Sequence, residues 1–327
     1  MTTTDSESSP AGWSSAESSD PVAGLARDFA RREALSSRSP ARAALRLVVT
    51  AAALAVVVHA VSDPPTWYVW PALWVLTIGA ILSCGAVVHE AAHRHLFSSK
   101  WANYTAGMVC SSLLGAPFVA YRDTHMEHHR FTHQIGDTDP LDVLQKPYEF
   151  VLGLPVYGFV YIYKLYAIAL AALFGRGPSY SRGDSRALAA WSLLVQAAVF
   201  AALGWSVVAF GVWPVVVGFV VPWMIGVIGF LGVIAISEHY EMGWGPAPAT
   251  ATTRSVHSNA VVRFAYWNTN YHCEHHLVPH VPCWNLRAVH DHLGDEVTTS
   301  SGYTAFAVGL YRRLRQGDLP EPCPGAD

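Results

Sequence analysis

Residues 67–93 read WYVWPALWVLTIGAILSCGAVVHEAAH, an apolar run that ends in two histidines four positions apart. An α-helix turns about 100° per residue, so His89 and His93 share one face. The apolar part is long enough to cross a bilayer, which takes about 20 residues. A single helix thus joins a membrane span to a pair of metal-ligand side chains. Two more clusters follow, His125-Met126-Glu127-His128-His129 and His272-Cys273-Glu274-His275-His276. Each presents two or three imidazoles on one side of a helix. Eight such groups exceed what one four-coordinate metal uses. They suit two metal ions held almost entirely by nitrogen.

Composition agrees with a membrane setting. Of 327 residues, 52% are hydrophobic and 14% charged, against about 25% charged in soluble domains. The net charge of −3 and the lack of an arginine-rich strip argue against a nucleic-acid partner. Cys84, Cys110, Cys273, Cys283 and Cys323 form no C-x-x-C pair, which excludes a disulfide framework or cysteine-held cluster as the organising feature. Cys273, between helix-face histidines, is expected to point elsewhere.

Four stretches have spanning length: Ala43–Val61, Trp67–Val88, Ala187–Phe210 and Val212–Ile236. Short turns join them into two hairpins. Those turns hold no Lys or Arg, whereas basic residues crowd before the first span, between the hairpins and after the last. The positive-inside rule then puts both termini and all three histidine clusters in the cytoplasm of a multi-pass cell-membrane protein. Residues 102–120 and 150–174 are apolar too. Lys164 in the second is costly at mid-bilayer, so both are expected to lie along the interface or re-enter. The expected fold is all-α and integral to the membrane. It has four transmembrane helices as two hairpins, interfacial helices and a cytoplasmic histidine-rich cap for two metal ions. Residues 1–40 form a polar arm expected to be disordered, 41–295 the membrane domain, and 296–327 a cytoplasmic tail.

His89-Glu90-x-x-His93 alone is also the H-E-x-x-H zinc-protease pattern, with Glu90 as base. One zinc does not account for two further H-x-x-H-H runs. A metal transporter would place ionisable ligands near mid-bilayer rather than at span ends. His95 is expected to face away from the metals, and His133 to be a satisfied surface histidine. His59, His257, His280, His290 and His292 lack cluster spacing.

These residues resemble the integral-membrane fatty-acid desaturase and hydroxylase family over roughly Val87 to Leu293. The family's three boxes are matched by His89/His93, His125/His128/His129 and His272/His275/His276. Its bacterial branch is resembled by Asn268-Thr-Asn-Tyr-His-Cys-Glu-His-His-Leu-Val-Pro-His-Val-Pro-Cys-Trp-Asn-Leu286, by His128-His129-Arg-Phe-Thr132 with Gly136-Asp-Thr-Asp-Pro140, and by Glu238-His239. The resemblance implies His239 as a ninth ligand, two iron ions and O2 as co-substrate. The reaction implied is desaturation of a fatty-acyl or lipid substrate. Hydroxylation or ketolation of a carotenoid, or desaturation of an amino-acid-derived metabolite, stays open. Electrons are expected from a separate donor such as a ferredoxin with its reductase, since no G-x-G-x-x-G follows a strand. Metal-bound histidines are usually oriented by outer partners. Glu90, Glu127, Asp137, Glu238 and Glu274, with Asn268 and Asn270, are the candidates.

Overall fold

The computed structural model describes residues 20–139, 144 and 146–318. Its helices, in chain order, are α1 (Pro21–Arg32), α2 (Pro40–Ser62), α3 (Trp67–Ala92), α4 (Lys100–Leu113), α5 (Phe118–Phe131), α6 (Glu149–Leu173), α7 (Ser185–Phe210) and α8 (Val212–His239). Then come the short α9 (Ala249–Thr252), α10 (Ala260–Ala265) and α11 (His272–Leu277), followed by α12 (Cys283–Leu293) and α13 (Tyr303–Gln316). Two dipeptide strands, β1 (Ser255–Val256) and β2 (Thr299–Ser300), pair in parallel.

Local chemistry sets the helix starts. Asp20 and Ser39 accept hydrogen bonds from Val22 and Arg42 N–H groups, each followed by Pro at the first helical position. Ser99 caps α4 in the same way. Inside α8, Pro222 lacks the N–H that a regular ladder needs, and π-helical turns flank it at Val216–Val220 and Met224–Leu231.

Five helices, α2, α3, α6, α7 and α8, are long and apolar enough to cross a membrane. The hairpins α2–α3 and α7–α8 match the sequence reading, with longer helices than expected. Their tips meet: a Cβ on Gly218 of α8 would stand 2.6 Å from Val61 and 2.9 Å from Trp70. Only glycine permits that approach. At the opposite end lie His89 and His239, each in the last turn of its helix. Helix α3 is the centre of the bundle, 56% buried over its apolar window against 6% for α7.

Residues 102–120 are not one segment. Leu114–Pro117 interrupt them between α4 and α5. Helix α4, at 14 residues, spans about 21 Å and is shorter than a hydrocarbon core of about 30 Å. Helix α6 is a fifth helix of spanning length. Its Lys164 is exposed, and its Nζ donates to the Thr138 carbonyl at 2.8 Å.

Helices occur in the described parts of both terminal segments. Residues 1–19 of the expected disordered arm lie outside the described residues. Residues 21–32 form α1, whose buried Ala23, Ala26 and Ala30 let it pack closely on α11 and α12. Phe29 stacks on His292 at 3.9 Å. In the tail, Phe306, Leu310 and Leu314 share one face of α13 and are buried with Ile236 and Tyr240.

Candidate metal centre

Nine histidines converge in two groups. His89, His93, His125, His129 and His275 form one. His128, His239, His272 and His276 form the other. Within each group the nearest ring nitrogens all lie within 4.8 Å of one another. Helix geometry explains the sorting. Residues four apart share a face, while adjacent residues diverge by about 100°. The pair His125/His129 on α5 therefore serves the first group, and His128 between them turns to the second. On α11 the arrangement is reversed: His272/His276 serve the second group and His275 the first.

The spacings are those of ligand shells. Nε2–Nε2 distances are 3.0 Å for His93–His125, 3.2 Å for His125–His129 and 3.0 Å for His129–His275. In the second group they are 2.8 Å for His239–His272 and 3.0 Å for His272–His276. An imidazole nitrogen offers one lone pair or one N–H, in the ring plane. His125, His129 and His272 each have two such neighbours, so hydrogen bonding alone does not satisfy the cluster. Two nitrogens bound at right angles about 2.1 Å from one ion stand about 3.0 Å apart. In addition, His89 Nε2 is buried with no hydrogen-bond partner among the described residues. An all-imidazole donor set of this kind fits a first-row transition metal.

Electrostatics keeps the rings in the ligating form. Burial and then the neighbouring imidazoles push His93, His125, His129, His272, His275 and His276 well below the usual histidine pKa. Neutral imidazole is the form that binds metal. His128 differs. Burial would lower its pKa, but the Asp137 carboxylate outweighs burial and raises it.

Outer partners hold the rings from behind. Asp137 Oδ1 accepts from His128 Nδ1 at 2.8 Å, and its Oδ2 accepts from the His133 backbone N–H at 2.8 Å. Glu238 lies 3.3 Å from His272 Nδ1. Glu90 Oε1 meets His89 Nδ1 at 3.3 Å. Its Oε2 meets His95 Nδ1 at 3.2 Å and accepts the Cys283 N–H at 3.1 Å. Glu90 is fully buried and engaged at both oxygens, which removes it as the water-activating base of a zinc protease.

Other expectations need correction. Glu274 turns away from the rings and binds His290 Nδ1 and Ser255 Oγ. Glu127 lies 4.0 Å from Arg130, on the outer side of α5. Asn270 donates its Nδ2 to the Val256 carbonyl, its Oδ1 being buried without a partner among the described residues, and Asn268 sits in the turn after α10 with φ of 63°. His133 is buried, not superficial: its Nδ1 meets the Gly243 carbonyl at 3.1 Å and its ring stacks on Trp244. Cys273, by contrast, points away from both groups as expected, its Sγ 3.8 Å from the Ala249 carbonyl.

Three supporting contacts had no sequence signal. Tyr303 on α13 donates to Glu238 at 3.3 Å, Thr132 Oγ1 lies 3.3 Å from His276 Nδ1, and His95 shares Glu90. All connect segments distant in the chain or displaced around a helix.

A cavity of about 390 Å³ opens beside the rings. His89 and His125 of the first group, and His128, His239 and His272 of the second, form part of its wall. Most of the remainder is apolar, from α3, α6 and α8.

Comparison with known proteins matches this arrangement. The model of the fatty acid desaturase family covers residues 64–306. The chain is 26% identical over 251 residues to the sn-1 oleoyl-lipid 12-desaturase of Synechocystis sp., an alignment covering 69% of each chain. Similarity to the chloroplastic omega-6 fatty acid desaturase of Glycine max is 25% over 256 residues, covering 69% of this chain and 57% of that relative. The sn-1 oleoyl-lipid 12-desaturase of Arthrospira platensis is 22% identical over 245 residues, with 68% and 67% covered. With histidine clusters at the ends of long apolar helices, the chain is a multi-pass membrane oxidoreductase that belongs to the fatty acid desaturase family.

Proposed function

We propose that the protein is a di-iron, O2-dependent desaturase that places a double bond in the acyl chain of a lipid. The observation that carries this reading is a cavity walled by apolar side chains and by imidazoles of both histidine groups. The nine histidines are the proposed ligands, five for one ion and four for the other. Bound iron supplies the oxygen chemistry that removes hydrogen from an unactivated C–H bond. The chain's own residues provide the rest. Asp137 accepts a hydrogen bond from Nδ1–H of His128, which keeps the proton on Nδ1 and leaves Nε2 as the ligand atom. Tyr121 stacks on His125 at 5.3 Å and fixes that ring at the cavity wall. Leu231, Ile228 and Val227 exclude water and hold an alkyl chain by apolar contact.

The proposed topology has four crossings, with both termini and the histidine groups in the cytoplasm and α6 along the interface. Support comes from the basic residues that border the histidine-bearing segments. The two ends of α6 also support it. Phe150 packs against Tyr311 of α13, and the loop after Leu173 leads to Asp184, which pairs with Lys100 and Arg122. Electrons are proposed to come from a separate soluble carrier such as a ferredoxin.

Metal analysis of the purified protein tests the centre, with about two irons per chain expected. One zinc per chain refutes it. Turnover with an acyl lipid, O2, ferredoxin and its reductase is expected to yield a product lighter by two hydrogens. A product that gains oxygen refutes desaturation.

A further inference from the structure

The cavity has one basic residue other than histidine, Lys164, and its position defines how a substrate enters. Residues Leu154, Tyr157, Gly158, Tyr161, Lys164 and Leu165 of α6 line the cavity, with Val160 and Ile162 beside them. The first six recur at helical spacing, so one broad side of α6 lies along it. From Leu154 to Lys164 that face runs about 15 Å. Lys164 stands at one end of this run. Charge within an apolar helix is expensive and is retained where it has a use.

Lys164 is exposed as a residue, yet its ammonium is tied back to the protein. Its Nζ donates to the Thr138 carbonyl at 2.8 Å, its one hydrogen bond among the described residues. Thr138 follows Asp137, the residue that holds His128. An ammonium has three donors, so a lysine that lines the cavity keeps two for an acceptor there. Asp139 shares this end of the wall. Burial raises its pKa, against the opposing charge of Lys164.

We infer that Lys164 is the anchor for an oxyanion on the substrate, a carboxylate or a phosphate, with the alkyl chain laid from it along α6 past the histidines. This inference rests on the proposed acyl-lipid reading and specifies the substrate's head. The same chemistry is offered by a free fatty acid and by an anionic phospholipid.

Binding separates these sources without turnover. Full-length protein of measured metal content, in nanodiscs of neutral lipid, is titrated with an octadecenoic acid, the corresponding alcohol and a dioleoyl phosphatidylglycerol. Lys164→Met is expected to bind one or both anionic probes about 10-fold to 100-fold more weakly. The alcohol is expected to change less than about two-fold, and Lys164→Arg to restore the anionic probes. Loss confined to the acid assigns a carboxylate, and loss confined to the phospholipid assigns its phosphate. Equal change for all three probes, or none, overturns the anchor while leaving the desaturase reading intact. A wild-type protein that binds none of the three overturns both.

Discussion

Asp137→Asn tests whether the second histidine group is a metal site. The carboxylate accepts from His128 Nδ1 and from the backbone N–H groups of His133 and Asp139, at 2.8, 2.8 and 2.9 Å. All three partners are donors when His128 ligates through Nε2. An asparagine of the same shape keeps one acceptor oxygen and replaces the other with an NH2. If its oxygen stays on the His133 N–H, the NH2 faces His128 Nδ1. The ring then moves its proton to Nε2 and loses the ligating lone pair, or the contact breaks. A hydrogen bond to a charged acceptor contributes about 1.5–3 kcal/mol, and loss of such an outer partner costs about 10-fold to 100-fold in metal affinity. The first group has no contact with Asp137. Timed chelator extraction is therefore expected to remove one of two irons from Asp137→Asn much earlier than the other, whereas the wild-type pair leaves together or more slowly. Retention of both irons with wild-type kinetics refutes the assignment of His128 as a ligand oriented by Asp137.

Two further substitutions probe the supports. Tyr303→Phe removes the hydroxyl bonded to Glu238, which in turn faces His272. Burial, then the Glu238 charge, hold the Tyr303 pKa well above the usual range, so the hydroxyl is a donor at all working pH. The expected effect is a loss of about 0.5–1.5 kcal/mol in stability and weaker iron retention in the second group only, read by thermal melting and the same chelator assay; unchanged values in both count against the role of α13. Arg122 is fully buried and bonds Asp123 Oδ1 through two nitrogens, with Asp184 and Ser185 at the start of α7. Arg122→Met leaves Asp123 buried without its cation, and a loss of about 3–5 kcal/mol in stability is expected, against a melting point within a degree of wild type if the cluster is idle.

How much of this was legible in sequence follows from the range of each signal. The eight box histidines lie at helix spacing, a local property, and the fold gathers all eight into the two groups. His239 has no periodic partner and came only from family resemblance. It lies 2.8 Å from His272 because α8 continues past its apolar window as one helix. Outer partners were legible where they sit beside their histidine, as with Glu90, or in a nearby turn, as with Asp137; Glu238 was picked beside His239 but faces His272. They were not where adjacency misled: Glu274 neighbours His275 in sequence, but one residue step rotates it to the opposite side, onto His290. Tyr303 was beyond reach because its contact spans 65 residues. For α6, a lysine in an apolar run was read as a mark of the interface. The acceptor on Thr138 that accounts for it belongs to another part of the chain.

The H-x-x-H-H spacing itself follows from the two-group arrangement. A helix beside one ion needs only histidines four apart, as α3 supplies with His89 and His93. A helix that lies between two ions must also present a ligand on an adjacent face, and the positions flanking the i+4 histidine are the nearest that do so. On α5 that extra ligand is His128, next to His129. On α11 it is His275, next to His276. The two helices assign their i and i+4 pairs to opposite groups and exchange one histidine each, so neither group is completed by one segment. Each then depends on α5 and α11 together, with α3 closing the first and α8 the second. A binuclear centre assembled this way forms only when the bundle does, which couples metal binding to the packing of four distant segments.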